Sequence, residues 1–201
     1  MALQQFKQPW LSEEDYLAGE QISEIKHEYI DGQAYAMSGT SANHGRIVSA
    51  LTRLIGNHLV DMPGDVFAAD MKVKVQHNFF YPDLIIDCET KNGDSYYTET
   101  PLIIVEVLSR STRKIDQTLK RHAYQSLPSL LEYVLIEQDF VDVEVCRRSE
   151  AWLPQHYFLG DRFTLESIGI NLSVEEIYHR VKNDDVMTYL QEQQANANAE
   201  S

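Results

Sequence analysis

Two acids stand where acids are costly. Glu106 interrupts the apolar run Leu102-Ile103-Ile104-Val105 and Val107-Leu108. A continuous run of this kind predicts a strand buried on both faces. An ionised carboxylate there is expensive unless it is paired or binds a metal. Asp83 has a similar setting ahead of Leu84-Ile85-Ile86, with Pro82 suited to a strand's first residue. If the two strands run antiparallel, the start of one lies beside the end of the other, and the two carboxylates converge. Two hard oxygen donors at one point suit Mg²⁺ or Mn²⁺, with water and a substrate phosphate completing the shell. The competing structural reading pairs Glu106 with a buried Arg or Lys and gives Asp83 a turn to cap.

The segment that follows, EVLSRSTRKIDQTLKRHAYQ, starts a helix directly after the strand bearing Glu106. Ser111 or Thr112 is its expected cap. A helix start offers free N–H groups and partial positive charge, both favourable to phosphate. Arg110, Arg113, Lys114, Lys120 and Arg121 make the stretch locally basic against Glu106 and Asp116. Arg113 and Lys114 are thus the candidate nucleic-acid contacts, against the plain alternative of a solvated helix face. Lys120 has its own plain alternative, a surface pair with Asp116 four residues earlier. Three weaker candidates are Asp70, as a further carboxylate, His44, near a helix start, and Glu28, ahead of a hairpin. The histidines form no HExxH pair, and no Walker loop, GxGxxG or GxSxG occurs.

The elements that must position these residues follow from periodicity. Ser12-Glu13-Glu14-Asp15 signals a capped first helix. Asp31-Gly32 within HEYIDGQAYAMSG signals a hairpin. Ile47, Ala50, Leu51, Leu54, Ile55 and Leu59 recur at helical spacing over 42–60, and Pro63-Gly64 ends that segment. Strands are expected over 66–75, 81–87 and 101–109. A helix over 113–126 follows, with Ile115, Leu119 and Ala123 on its apolar stripe. Strands EYVLIEQ and DVEVCRR come next, and INLSVEEIYHRV closes with a helix capped by Ser173. This order predicts an α/β (α+β) fold: a mixed central sheet flanked by helices, with an N-terminal hairpin extension. One domain is expected over 1–189, with a polar, disordered tail over 190–201.

Composition narrows the class. The 201 residues are 43% hydrophobic and 24% charged, values typical of a globular domain. No run approaches the ~18 apolar residues of a membrane span, and MALQQFKQPW lacks a signal-peptide pattern, so a cytoplasmic protein without a membrane partner is expected. Cys88 and Cys146 form no CxxC pair and read as buried free thiols in a reducing compartment. The net charge of −14 opposes nucleic-acid binding unless positive charge is gathered locally.

Pro82-Asp83, Glu106 to Thr112 as EVLSRST, then Asp116, Lys120 and Tyr124 resemble the Uma-type family of the PD-(D/E)XK nuclease-like superfamily, as does HEYIDGQAYAMSG with His44. The resemblance covers roughly residues 12–180. It implies a restriction-endonuclease-like core and a Mg²⁺- or Mn²⁺-dependent endonuclease hydrolysing phosphodiester bonds in DNA. Asp83 and Glu106 would be the metal ligands and, with Lys120, the catalytic set. The superfamily's lysine two residues after the acid is Leu108 here, and the resemblance places its substitute at Lys120. A homodimer is expected by analogy with the superfamily. The second reading is a catalytically degenerate module on the same fold that binds nucleic acid or protein without cutting. Leu108 and the acidic charge favour it, and retention of Asp83, Glu106 and Lys120 favours the enzyme.

Overall fold

The computed structural model describes residues 10–89, 93–110 and 112–199. In chain order these form α1 (Glu13–Glu20), β1 (His27–Ile30), β2 (Gln33–Ala36), α2 (Ala42–Leu59), β3 (Asp65–Ala68), β4 (Lys72–Val75), β5 (Asn78–Phe80), β6 (Leu84–Asp87), β7 (Tyr97–Thr98) and β8 (Ile103–Leu108). A composite helix follows: α3 (Arg113–Ile115), a π-helical turn (Asp116–Lys120) and α4 (Arg121–Gln125). Then come β9 (Glu132–Glu137), β10 (Val143–Arg147), β11 (Pro154–Tyr157), β12 (Arg162–Leu165), β13 (Ile170–Ser173), α5 (Val174–Tyr178) and α6 (Asp184–Ala199).

Local chemistry sets the ends of these elements. The hydroxyls of Ser12, Ser41 and Ser173 accept the N–H of Asp15, His44 and Glu176, which satisfies an orphan donor at each helix start. Asp31 and Gly32 both adopt positive φ, 48° and 76°, so the β1–β2 hairpin turns on the residue pair best suited to it.

The central sheet has the order β11-β10-β9-β8-β6-β3. Only β8 and β9 pair in parallel in this sheet, and the composite helix is their crossover; the other pairs are antiparallel. The sheet is therefore mixed, as expected. On one face α2 lays Ile47, Leu51, Ile55 and Leu59 against Leu84, Ile86, Ile103, Val105 and Val107. On the other, Ile85, Ile104, Leu108, Tyr133 and Leu135 pack with Phe80, Tyr124 and Leu127. A second sheet, β2-β1-β5-β4-β7, carries the hairpin and adds Val73 and Val75 to that second layer.

Three elements depart from expectation. The strand expected over 66–75 is two strands in different sheets, broken where Ala69 takes a φ of 60°. The crossover helix does not bury Ile115 and Leu119, which are 45% and 43% exposed; Asp116, Lys120 and Tyr124 face inward instead. A π-turn holds more residues per turn than an α-helix, so it shifts the phase of every later side chain. Finally, α6 continues as helix to Ala199, across most of the tail expected over 190–201. Val186 is its buried anchor, the side chains over 191–198 are exposed, and Ala, Gln and Glu supply helix propensity.

Ile104 is fully buried between β6 and the crossover helix. Ile104→Ala should lower unfolding free energy by about 2–5 kcal/mol. Urea titration is expected to move the midpoint and leave the slope unchanged; an unmoved midpoint would contradict this packing.

Candidate active site

Strand register brings the two acids level. β6 and β8 pair antiparallel with Leu84 opposite Val105 and Ile85 opposite Ile104. One step further along the same register sets Asp83 beside Glu106. Glu106 projects with Ile104 and Leu108 towards the crossover helix, whereas Asp83 at the strand end reaches the first turn of α2. Asp83 does not cap a turn with its side chain. Its Oδ2 accepts the Val107 N–H at 2.7 Å, and its Oδ1 lies 3.1 Å from His44 Nε2. His44 is delivered by the first turn of α2. Gln138 holds that turn in place: its amide donates to the Leu108 carbonyl at 3.0 Å, and its Oε1 accepts from the capping hydroxyl of Ser41.

Glu106 is buried, and its Oε1 accepts from Lys120 Nζ at 3.2 Å and from the Tyr124 hydroxyl at 3.1 Å. The buried cation that the competing structural reading pairs with Glu106 is present, and it is Lys120, the residue that the family resemblance selects. Lys120 is 5% exposed, not a surface partner of Asp116. Its ammonium also contacts Glu28 Oε1 at 2.8 Å and Asp116 Oδ1 at 3.1 Å. The Asp116 contact lacks hydrogen-bond geometry, so Asp116 Oδ1 is buried without a hydrogen-bond donor among the described residues. Glu28 Oε1 in turn accepts the Tyr81 N–H at 3.2 Å, which ties β1 to the chain just ahead of Asp83.

Electrostatics follow from three carboxylates, Glu28, Glu106 and Asp116, around one ammonium, with Asp83 near Glu106. Burial raises the Glu106 pKa well above the carboxylate range; Lys120 opposes this, while Asp116, Asp83 and Glu28 add to it. Burial pulls Lys120 down, but Glu106, Glu28 and Asp116 more than offset that and hold it charged. Burial, then Glu106, raises the Tyr124 phenol, which therefore remains a donor.

The site opens to solvent at Asp83. Its carboxylate lines two adjoining clefts, one of ≈ 340 Å³ with Lys26 and Tyr81, the other of ≈ 510 Å³ with His44 and Ser49. Among the described residues no group of three or more His, Cys, Asp or Glu side chains is placed to hold a metal ion.

The other sequence candidates divide. His44 and Glu28 join the cluster. Asp70 is 84% exposed and paired with Lys26. Arg113 is held by Glu137 in a two-bond fork, both at 2.6 Å, so its charge is satisfied within the fold. Lys114 is exposed. Thr112 makes no capping bond, and Ser111 lies outside the described residues. Tyr81 and Gln138 are not among the sequence candidates. Gln138 leaves one signal, a polar residue ending the strand run EYVLIEQ; the Tyr81 contact uses its backbone and leaves none.

Removing the Lys120 ammonium leaves three carboxylates facing one another, whereas Glu106→Gln leaves Lys120 with Glu28 and Asp116. Lys120→Ala should therefore cost about 3–5 kcal/mol of stability. A carboxylate whose folded pKa is raised gives stability below its unfolded pKa, and loses it as pH rises through the folded value. Glu106→Gln removes that loss, so at neutral pH it should melt at or above the wild-type temperature. Calorimetry checks both; a Glu106→Gln protein that melts well below wild type would show that the charge itself holds the fold.

Comparison with known proteins agrees with this architecture. Two curated relatives come from Synechocystis sp. (strain ATCC 27184 / PCC 6803 / Kazusa). "Uncharacterized protein slr1290" is 35% identical over 175 residues, covering 85% of this chain and 92% of its own. "Uncharacterized protein sll1609" is 33% identical over 180 residues, covering 85% and 95%. The crystal structure of "a putative nuclease belonging to DUF820" from Anabaena variabilis ATCC 29413 superposes with a TM-score of 0.69 at 16% identity. It covers 86% of this chain and 99% of that one, which establishes the shared fold. The Uma2 family pattern, described as "Putative restriction endonuclease", matches residues 13–175, and the chain belongs to that family.

Proposed function

We propose that this protein is a divalent-metal-dependent endonuclease that hydrolyses phosphodiester bonds in DNA. The observation that carries the reading is that Asp83 and Glu106 each stand one residue past the Leu84–Val105 pair, with the Lys120 ammonium 3.2 Å from Glu106. The donor set suits a divalent ion. Three carboxylates share one ammonium, so the cluster has negative charge to spare, and a fourth, Asp83, stands at the solvent-facing mouth. Asp83 and Glu106 would hold the ion, with water and substrate phosphate filling the places the protein leaves open, as Mg²⁺ prefers. Polarisation of a phosphoryl oxygen and acidification of water are the chemistry that such an ion supplies.

The chain's own residues do the remaining work. The Val107 N–H fixes the Asp83 carboxylate through Oδ2 and leaves Oδ1 directed at His44. Tyr124 and Lys120 both donate to Oε1 of Glu106 and so set its orientation. Lys120 supplies the fixed positive charge that stabilises charge building on the phosphate. Leu108 does not argue against this role. Positions 104, 106 and 108 share a face, and Leu108 fills that face as core while the amine arrives from the crossover helix. A homodimer would present two such sites, one for each strand of a duplex.

The test is nicking of supercoiled DNA in Mg²⁺ or Mn²⁺, stopped by chelator, alongside Mn²⁺ titration calorimetry. Asp83→Ala and Glu106→Ala should each abolish cleavage and weaken Mn²⁺ binding, and Lys120→Arg should lower the cleavage rate by ~10²-fold or more. Unaltered Mn²⁺ binding in both alanine variants would sink the site. DNA binding without cleavage in any divalent ion would support the degenerate module instead.

A further inference from the structure

Part of the positive charge in this chain is neutralised where it stands. Lys26 faces Asp70, Lys74 faces Glu13, Arg113 faces Glu137, Arg121 faces Glu144 and Arg147 faces Glu132. Arg46, Arg53 and Arg180 make no ion pair among the described residues, as is also true of Lys72, Lys114, Arg148, Arg162 and Lys182, but these three arginines lie together. Arg46 makes one hydrogen bond, to the Asn43 side-chain oxygen at 3.0 Å, and Arg53 and Arg180 are exposed.

These three line one cleft. It has a volume of ≈ 650 Å³ between α2 and α5, and its lining holds one acid, Glu176. It also shares Gly45, Ser49 and Arg53 with the ≈ 510 Å³ cleft that reaches His44 and Asp83. The two clefts are thus one trough. It starts at the Asp83 carboxylate, follows the exposed face of α2 past Gly45 and Ser49, and ends among the arginines. Small side chains on that face leave room for a chain to lie against the helix; open space surrounds the position a Cβ would take on Gly45.

We propose that this trough carries the sugar-phosphate backbone of the nucleic acid away from the site, with Arg46, Arg53 and Arg180 as its phosphate contacts. The proposal rests on the nuclease reading and deepens it. It also resolves the charge conflict: a chain of net charge −14 need be basic only along one track that leads to its carboxylates. Guanidinium groups suit that role, because their planar forks match phosphate oxygens. The start of α3 is a poorer place, since Arg113 is already held by Glu137.

The experiment is fluorescence anisotropy of a labelled DNA duplex with the full chain in Ca²⁺, over a salt series. Removing one phosphate-binding cation should flatten the log–log salt dependence by roughly 0.9. The triple variant Arg46→Ala/Arg53→Ala/Arg180→Ala should therefore flatten it by about 2–3. Ser49→Glu removes no arginine and adds an anion to the trough floor; it should weaken binding about tenfold or more at low salt. A triple variant with wild-type affinity and slope, in a protein that still cleaves DNA, overturns the trough alone. So does a slope that flattens on Lys114→Ala and not in the triple variant. A wild-type protein that neither binds nor cleaves DNA at low salt overturns the nuclease reading and the trough together.

Discussion

A single ammonium group, that of Lys120, lies inside the protein with carboxylates from three parts of the chain around it. Glu28 comes from β1 in the second sheet, Glu106 from β8 in the central sheet, and Asp116 from the same crossover helix. Burying an ammonium is costly, and burying acids without one is costlier still, so these groups are stable only together. The cluster therefore ties the hairpin extension, the central sheet and the crossover helix to one point. The second sheet does not merely extend the domain. Through Glu28 and the Tyr81 N–H it closes the side of the site that the central sheet leaves open.

Backbone geometry makes that meeting feasible. Parallel pairing of β8 and β9 demands a crossover, and the crossover lays a helix over the face from which Glu106 projects. The π-turn then sets Asp116 and Lys120 inward, with Tyr124 one turn later under the same carboxylate. On the opposite side α2 brings His44 to Asp83, and Gln138 locks the α2 cap to the end of β8. Each acid is thus fixed from a different layer: Asp83 by α2 and a strand N–H, Glu106 by the crossover helix.

Much of this is legible in the sequence, for physical reasons that differ by residue. Glu106 is visible because a charge within a doubly buried apolar run has few explanations. Asp83 is visible because it opens the neighbouring run, and antiparallel pairing needs no long-range information to set two such residues level. Serine caps and Asp31-Gly32 are readable because their chemistry is local. Lys120 is legible only through family resemblance: its i,i+4 spacing to Asp116 fits a surface pair equally well. The inward stripe escapes because helical periodicity assumes 3.6 residues per turn, and Ile115 and Leu119 fit that period while lying at the surface. Nothing local announces a π-turn. The break at Ala69–Asp70, which divides one expected strand between two sheets, is set by tertiary context, which overrides the β-propensity of the flanking residues.

Acidic composition and a phosphate substrate are compatible once charge is considered by place. The fold pairs part of its cations with acids, and its excess of acids keeps the general surface negative, which repels a polyanion from unproductive faces. Near the site the sign alternates over a short path: carboxylates at Asp83 and Glu106, then arginines along α2. A polyanion held by the arginines is brought to carboxylates that would repel it unless a cation stands between them. In the proposed function, binding of substrate and binding of a divalent ion would then be coupled, each lessening the repulsion that opposes the other. Lys120 is too deeply placed to provide that screening alone, since its charge is already shared among three acids. The amine that holds the fold together thus leaves a residual negative charge at the mouth of the site, and that charge is what the proposed divalent ion would neutralise.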